Sequence, residues 1–367
     1  MAPARTNICA LLLGLVAAQL AGGPAQAKAP VPKYAAHPLH APRLVTEEAM
    51  IDSPQPGLKI YVRNKHPAGL KHFAPGRTLV FVHGATYPAS AAFDLELGGM
   101  SWMDYIASRG YDVYLLDLPG YGRSTRPAAM DLPAEAGAPV ETTAQAVGDY
   151  AAVVKWVLAR HGLTKLDVAG WSWGTTIAAG FAAEHPDKVN RLVLYAPVWL
   201  APRDPSAAPP PPPPPSTLGA YRLVTADAAL KRWMNGVPET KQADLIPKGW
   251  FDQWREATWA TDPKAASANP PALRAPNGVT LDFQRFWGAG QPTYDPAKIT
   301  APTLLIVGEW DHDTPPSRAQ GLFPLLTNTA WKQFVQLGEG THTVMMERNR
   351  LLLFQAVQAF LDEDRPR

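Results

Sequence analysis

The chain has 367 residues, and its 34 Lys and Arg side chains nearly balance its 32 Asp and Glu side chains, which leaves a formal net charge of +2. This balance argues against a protein that binds nucleic acid through a positive field, because phosphate neutralisation needs clustered Lys and Arg. A hydrophobic content of 46% is enough for a large core. The single cysteine, Cys9, excludes an intrachain disulfide and a zinc or iron–sulfur site built from cysteines.

The N-terminus has the pattern of a secretory signal peptide over residues 1–27. Arg5 supplies a positive charge, the stretch 8–21 is almost entirely apolar, and the sequence Ala-Gln-Ala at 25–27 places small residues where a signal peptidase cleaves. The apolar stretch is shorter than the about 20 residues that span a bilayer. We therefore expect cleavage after Ala27, a secreted or periplasmic mature protein, and no stable membrane anchor.

The next segment, 28–42, is rich in proline and lacks apolar periodicity, which is typical of an extended tether. The folded core is expected to begin at residue 43. Segments 43–51 and 58–63 can supply an antiparallel strand pair at one edge of a sheet.

From residue 78 onward, short apolar runs alternate with amphipathic helical patterns. Most of the runs lack polar alternation, as expected for strands that are covered by helices on both faces. This order predicts an α/β fold with a mostly parallel sheet flanked by helices. The predicted strands are 78–82, 111–116, 166–169, 191–195, 303–307 and 332–337, and the predicted helices are 100–108, 142–161, 173–184, 316–326 and 347–361.

The residues Gly170-Trp171-Ser172-Trp173-Gly174 fit the pattern G-x-S-x-G at a junction between a predicted strand and a predicted helix. The two glycines allow a very tight turn, which holds the serine in a strained conformation with its hydroxyl above the sheet. The helix N-terminus beneath the turn favours negative charge that forms nearby. Ser172 is therefore a candidate nucleophile.

A serine nucleophile needs a base, and the base needs a carboxylate that orients it. Asp311 follows the predicted strand 303–307, and His342 follows the predicted strand 332–337. The carboxyl ends of parallel strands meet at one edge of a sheet. We therefore predict Ser172 as the nucleophile, His342 as the base and Asp311 as the acid of a catalytic triad.

Other residues near strand ends are alternative candidates for the acid and the base. Asp313, two residues after Asp311, and Asp204, after the strand 191–195, are alternatives for the acid. His312 competes with His342, but we expect it to pack within its own loop. No pair of histidines has metal-ligand spacing with carboxylate support, so we expect neither a metal ion nor a cofactor.

An oxyanion hole needs two backbone N–H groups aimed at the developing negative oxygen. We predict that Trp173, directly after the serine, supplies one of them. The other is expected from Ala85, in the loop that follows the strand 78–82, where Gly84 allows a close approach. His83 is then part of the scaffold of this loop and not a base.

About a hundred residues separate the strand 191–195 from the strand 303–307, which is too long for a structureless loop in a compact domain. The proline run from Pro209 to Pro215 predicts a stiff linker. We therefore assign 201–299 to a proline-rich linker and a helical cap, and 43–200 with 300–367 to the core.

The predicted cap is rich in tryptophan. These rings can form the core of a small subdomain, or they can line an apolar pocket over the serine that selects the substrate. Trp173 is a candidate for such a pocket because it flanks the serine. The pocket candidates that we select in addition are Trp171, Trp199 and Trp254.

Taken together, these motifs resemble the α/β-hydrolases over about residues 58–200 and 300–362. The stretch 117–124 is similar to the D-x-P-G-x-G-x-S segment that is common in this family, and His-Gly at 83–84 and Gly-x-x-Asp at 308–311 also fit. The resemblance implies the same triad and a cap inserted after the sixth strand.

The residues of the serine turn indicate which subgroups of this family the chain resembles. The turn is similar to the Gly-Gly-Ser-Trp-Gly of proline iminopeptidase-like members, except that Trp171 replaces the second glycine. No run of three glycines follows His83, which makes the lipase and esterase subgroup with that loop a poorer match. A serine nucleophile argues against haloalkane dehalogenase and epoxide hydrolase chemistry.

These observations predict a serine hydrolase that cleaves a small-molecule carboxylic ester. One alternative is an aminopeptidase or amidase, which needs a cap carboxylate to hold the substrate ammonium group. Another is a non-catalytic binding protein on a hydrolase scaffold, against which the presence of serine, aspartate and histidine argues. The candidate cap carboxylates are Asp227, Glu239, Asp244, Asp252 and Glu256.

Overall fold

The apolar runs form strands in the computed structural model, which describes residues 42–202 and 217–363. The predicted signal peptide, Asp204 and the proline run from Pro209 to Pro215 lie outside the described residues. The strands, numbered along the chain, are β1 (Leu44–Asp52), β2 (Lys59–Pro67), β3 (Thr78–Val82), β4 (Asp112–Asp117), β5 (Leu166–Trp171), β6 (Val189–Tyr195), β7 (Tyr221–Thr225), β8 (Ala272–Pro276), β9 (Thr303–Gly308) and β10 (Lys332–Leu337).

Eight of the strands form one sheet in the order β1-β2-β4-β3-β5-β6-β9-β10. β1 pairs antiparallel with β2, and β2 pairs antiparallel with β4. The neighbours from β4 to β10 are all parallel. The carboxyl ends of β3, β5, β9 and β10 therefore lie at the same edge, where active sites assemble in such sheets.

Helices follow most of the strands, as the alternating pattern predicts. The α-helices are α1 (Ala89–Ala92), α2 (Trp102–Ala107), α3 (Thr143–His161), α4 (Trp173–Glu184), α5 (Ala226–Trp233), α6 (Gln242–Leu245), α7 (Trp250–Trp259), α8 (Gly278–Asp282), α9 (Pro316–Leu322) and α10 (Arg350–Asp362).

The sheet has a hydrophobic core on each face. Along β3, Val80 and Val82 belong to the core that contains residues of α3 and α4, whereas Leu79 and Phe81 belong to the core that contains residues of α2 and α10. Successive side chains of a strand point to opposite faces, so a strand that is covered on both sides must be apolar throughout. This explains the absence of polar alternation in the run 78–82.

The largest differences from the predicted helix boundaries are in the last two helices. The helix expected over 316–326 ends at Leu322, because Pro324 has no N–H to continue the ladder and the chain forms a 3₁₀ turn at Phe323–Leu325. The helix expected over 347–361 begins at Arg350 and follows a separate 3₁₀ turn at Val344–Met346.

The segment between β6 and β9, which we call the β6–β9 insertion, contains α5 to α8. It also contains an antiparallel pair of β7 with β8, whereas the sequence indicated only helices. Tyr221 pairs with Pro276, and Thr225 pairs with Ala272. The two short strands are separated by the whole of α5 to α7, so no local periodicity reveals their pairing.

None of the helices in residues 42–202 and 217–363 has both the length and the hydropathy that crossing a bilayer requires.

Candidate active site

Ser172 lies at the sharp turn between β5 and α4. Its backbone has φ 56° and ψ −124°, a conformation that residues other than glycine rarely adopt. A Cβ atom at Gly170 would lie 2.2 Å from the carbonyl oxygen of Gly174, and a Cβ atom at Gly174 would lie 2.5 Å from the carbonyl oxygen of Val82. Both glycines are therefore required by the close approach of backbone to backbone.

The structure brings Ser172, Asp311 and His342 into one hydrogen-bonded chain. The serine hydroxyl donates to His342 Nε2 across 2.8 Å, and His342 Nδ1–H donates to Asp311 Oδ2 across 2.9 Å. The three residues follow β5, β9 and β10, and they are 6%, 1% and 7% exposed, respectively. This is the geometry of a base that is positioned to take the serine proton while a carboxylate fixes its tautomer.

The carboxylate of Asp311 is held by Thr314. The Thr314 N–H donates to Oδ1 across 2.8 Å, and its hydroxyl donates to Oδ2 across 2.9 Å. Sequence analysis missed Thr314, although an aspartate that accepts from the backbone a few residues later is a recognisable turn pattern. The contact fixes the carboxylate that faces His342.

The alternative acid, Asp313, has a different partner. Its Oδ2 accepts from Arg232 Nε across 2.6 Å and lies 3.9 Å from His342 Nε2, the nitrogen that faces the serine. It does not approach Nδ1, where an orienting carboxylate must act. His312 is exposed and packs against Gly236, where an added Cβ atom would lie 2.2 Å from the His312 ring.

Burial lowers the pKa of His342, but the charge of Asp311 and its hydrogen bond outweigh this effect, and Asp313 adds to it. The net result is a pKa raised above the ordinary value of 6.5. The surroundings therefore stabilise the imidazolium that forms when His342 takes a proton.

The loop that carries His342 is fixed from behind. The carbonyl oxygen of His342 accepts from Trp171 Nε1 across 3.0 Å and from the Tyr195 hydroxyl across 2.9 Å. At Gly308, an added Cβ atom would lie 2.3 Å from the carbonyl oxygen of Gly340, so the loops that follow β9 and β10 pack directly on each other.

A buried carboxylate connects this loop to the β6–β9 insertion. Glu347 is fully buried and accepts from Trp233 Nε1 across 2.9 Å, from the Thr341 N–H across 3.2 Å, and from the Thr341 hydroxyl. Burial raises the pKa of Glu347 to about 7. Glu347 was not among the predicted site residues, because its contact with Trp233 joins segments that are distant in the sequence.

The predicted oxyanion donors, Ala85 and Trp173, flank the serine. At Gly84, an added Cβ atom would lie 2.9 Å from Ser172 Cβ, so the loop after β3 passes directly against the nucleophile. Within the described residues, neither the Ala85 N–H nor the Trp173 N–H has an acceptor. Both donors are therefore available to a negative oxygen.

The scaffold of this loop includes His83. Its Nδ1–H donates to the carbonyl oxygen of Gly84 across 2.7 Å, and its Nε2 accepts from the Leu118 N–H across 3.0 Å. The ring is fully buried, and burial lowers its pKa. Both ring nitrogens of His83 are thus used in fixing the loop.

Two cavities adjoin Ser172. The smaller has a volume of about 20 Å³ and is lined by Trp171, Trp233 and His342 among other residues. The larger has a volume of about 220 Å³. Its lining includes Trp173, Val198, Trp199, Val279, Phe283, Trp287, Asp313 and Arg318.

The pocket candidates predicted from the sequence therefore do not all line a cavity beside Ser172. Trp171 lines the smaller cavity, and Trp173 and Trp199 line the larger one. Trp254 lines neither of them: it is fully buried and packs edge-on against Tyr87 at 4.7 Å and Trp233 at 5.3 Å between ring centroids. Its ring packs between the insertion and the loop after β3, in the core that also contains residues of α2 and α10, which explains the difference from our expectation.

In residues 42–202 and 217–363, no group of three or more His, Cys, Asp or Glu side chains is arranged to hold a metal ion.

Comparison with protein families gives a match to the alpha/beta hydrolase fold over residues 77–348. Among curated proteins, the chain is 38% identical over 93 residues to a pimeloyl-[acyl-carrier protein] methyl ester esterase from Chromobacterium violaceum, which covers 25% of this chain and 29% of that protein. It is 31% identical over 117 residues to a 2-hydroxy-6-oxononadienedioate/2-hydroxy-6-oxononatrienedioate hydrolase from Paraburkholderia phymatum, covering 32% of this chain and 35% of that protein. The matches thus span about a third of these relatives.

The fold is also found among solved structures. A serine hydrolase involved in carbazole degradation superposes with a TM-score of 0.56 and 17% identity, over 86% of this chain and 99% of the other. At this identity the likeness concerns the fold alone.

Proposed function

The chain belongs to the alpha/beta hydrolase fold family, and from this premise we propose that it is a serine hydrolase that cleaves a carboxylic ester. The observation that carries the proposal is the buried hydrogen-bonded chain from Ser172 through His342 to Asp311. A serine hydroxyl is a weak nucleophile unless a positioned base takes its proton.

In the proposed mechanism, Ser172 Oγ attacks the ester carbonyl carbon while its proton passes to His342 Nε2. The ester C–O bond then breaks, and the alcohol leaves with the proton that His342 returns. Water attacks the carbonyl carbon of the acyl-enzyme and gives a proton to His342. The bond between Ser172 Oγ and this carbon then breaks, the carboxylic acid leaves, and His342 returns the proton to Ser172 Oγ.

The role of Asp311 is to keep the Nδ1 proton in place and to stabilise the imidazolium in both steps. The N–H groups of Ala85 and Trp173 bind the oxygen that becomes negative in the tetrahedral intermediate. Their lack of protein acceptors among the described residues supports this assignment.

The charges around the serine favour an ester over an N-terminal peptide. None of the five cap carboxylates considered for binding an ammonium group lines either cavity. The carboxylate that does line them, Asp313, is paired with Arg232 at 2.6 Å. A substrate ammonium group would therefore have to compete with a guanidinium.

The name of one curated relative, a methyl ester esterase, is consistent with this choice of bond.

The N-terminal sequence adds the proposal that the protein acts outside the cytoplasm after removal of residues 1–27. Sequencing the N-terminus of the protein exported by the native cell type tests this part. An intact Met1 in the mature protein would contradict it.

Hydrolysis assays test the proposed reaction. The wild-type protein is expected to hydrolyse a p-nitrophenyl acyl ester much faster than a prolyl p-nitroanilide. Ser172→Ala should lose about 10⁴–10⁶-fold in kcat if the triad acts as a unit. Ser267→Ala, which changes an exposed serine of the insertion, serves as the matched control. Near-normal ester hydrolysis by Ser172→Ala would refute the proposal.

A further inference from the structure

We propose that the substrate carries an anionic group, a carboxylate or a phosphate, away from the scissile bond, and that Arg318 is the specificity-determining residue that binds it. This inference rests on the proposed ester hydrolysis at Ser172. It concerns the larger cavity beside that serine, where Arg318 is part of the lining.

The sizes of the two cavities decide where the bulk of the substrate lies. The smaller cavity, at about 20 Å³, has room for about one water molecule. The larger, at about 220 Å³, extends from Ser172 between aromatic and aliphatic walls that include Trp173, Trp199 and Trp287. A substrate held at Ser172 therefore finds more room for its larger half in the cavity that Arg318 lines.

Arg318 has more hydrogen-bond donors than the protein uses. Its Nη1 donates to the carbonyl oxygen of Trp199 across 2.9 Å. A guanidinium has five N–H groups, and no carboxylate of the described residues lies within ion-pair distance of this one. The side chain is half-buried, and this burial lowers its pKa. Among the described residues this half-buried charge therefore has no counter-ion, and an anionic ligand would supply one.

The other two arginines near Ser172 differ in this respect. Arg232 is paired with Asp313 and also donates to the Thr86 hydroxyl. Arg222 donates to backbone carbonyl oxygens, including those of Ala85 and Pro276. Both guanidinium groups thus have protein acceptors on more than one nitrogen, whereas Arg318 has one such bond within residues 42–202 and 217–363.

The charge balance of the larger cavity also favours an anion. Arg232 and Arg318 line it together with a single carboxylate, Asp313, whose Oδ2 is already bonded to Arg232. An anionic group at Arg318 would find a charge-assisted partner there, and a planar guanidinium can bind a carboxylate or a phosphate with two parallel hydrogen bonds. The apolar walls would bind the chain that joins this group to the ester.

A matched pair of esters tests the inference. Monomethyl suberate carries a free carboxylate, whereas dimethyl suberate has the same chain without the charge. We expect the wild-type protein to prefer the monoanion. In Arg318→Gln the ratio of kcat/KM for monoanion over diester should fall by about 10–100-fold, mainly through KM, as expected for the loss of a hydrogen-bonded charge.

Two further variants sharpen this experiment. Arg318→Lys keeps the charge without the planar fork and should retain part of the preference. Arg285→Gln removes an exposed guanidinium that does not line the larger cavity, and its ratio should equal that of the wild-type protein. A methyl ester with a terminal phosphate, assayed beside monomethyl suberate, distinguishes the two sources of negative charge.

A readout that does not depend on turnover keeps the inference separate from the proposed function. Suberate dianion should slow the labelling of the wild-type serine by a fluorophosphonate probe, and this protection should be lost in Arg318→Gln. Labelling of the variant itself shows that it is folded. If Arg318→Gln keeps the wild-type ratio of kcat/KM for monoanion over diester, the role of Arg318 is overturned and the esterase proposal still stands. Absence of any ester hydrolysis and of labelling would instead overturn the proposed function.

Discussion

The sheet edge that carries Ser172 and the β6–β9 insertion that borders it differ in how their structure arises. At the sheet edge, Ser172, Asp311 and His342 each follow a parallel strand, so the fold itself brings them together. In the insertion, Trp233 and Trp254 occupy different surroundings although both lie on helices of the same segment. The positions of the candidate triad residues therefore depend on topology, whereas the cavity walls depend on packing between distant segments.

From this comparison we expect substitutions at the sheet edge to slow the chemical step. Substitutions in the insertion should alter stability or substrate preference. The largest effect is expected at Asp311. Asp311→Asn should lower kcat for a p-nitrophenyl ester by about 10⁴-fold, because an amide no longer fixes the productive tautomer of His342. Asp313→Asn, the matched control two residues away, should lower it far less. Equal losses in the two variants would contradict the assignment of the acid.

A second test concerns the stability that Glu347 contributes across pH. The pKa of its carboxyl is raised from 4.5 to about 7 in the folded protein. Unfolding therefore releases a proton between these values, and the free energy of unfolding falls as pH rises through this window. Glu347→Gln lacks this fall, so its stability relative to wild type should improve by about 3 kcal/mol between pH 4.5 and pH 8.

Denaturant unfolding at several pH values measures this difference. Glu256→Gln, at an exposed carboxylate of α7, is the control and should show no such trend. A constant difference between Glu347→Gln and the wild-type protein across the whole pH range would show that the buried carboxyl does not titrate as described.

A smaller effect is expected for the contact between the insertion and the His342 loop. Trp233→Phe keeps a ring in the smaller cavity but removes the N–H that donates to Glu347. The buried carboxylate then loses one donor, and the free energy of unfolding should fall by about 1–3 kcal/mol. Fluorophosphonate labelling of the variant should remain close to wild type. Loss of labelling as severe as in Asp311→Asn would break the division between the two regions.

The smallest predicted effect is on the pH dependence of catalysis. Because the pKa of His342 is raised above 6.5, kcat/KM should be high above the folded pKa and fall below it, with a midpoint above that ordinary value. Asp313 contributes to this rise, so Asp313→Asn should move the midpoint to lower pH. A pH–rate profile of the two proteins checks both statements, and a shift to higher pH in the variant would contradict the second.

The sequence was sufficient for the fold and for the proximity of Ser172, His342 and Asp311 at the sheet edge. Apolar runs such as 78–82 indicated strands covered on both faces, and the pattern around Ser172 indicated the strand-to-helix turn. The α/β-hydrolase fold is confirmed by the family match over residues 77–348. These features are local, or they follow from the rule that parallel strands end at a common edge.

The remaining features depend on contacts between distant segments. The pairing of Tyr221 with Pro276 joins strands separated by three helices, so no window of sequence contains it. Trp254 and Trp233 look alike in sequence, yet Trp254 is enclosed between the insertion and Tyr87, whereas Trp233 lines a cavity. Arg318 became a candidate only once the lining of the larger cavity was known.

The central claim is that Ser172 is activated by His342, and the most direct test is covalent labelling. The protein is incubated with a fluorophosphonate probe, which reacts with activated serines, and the modified peptide is identified by mass spectrometry. We expect a single adduct on Ser172 that forms rapidly in the wild-type protein and much more slowly in His342→Ala. An unlabelled Ser172, or labelling at the same rate in His342→Ala, would contradict it.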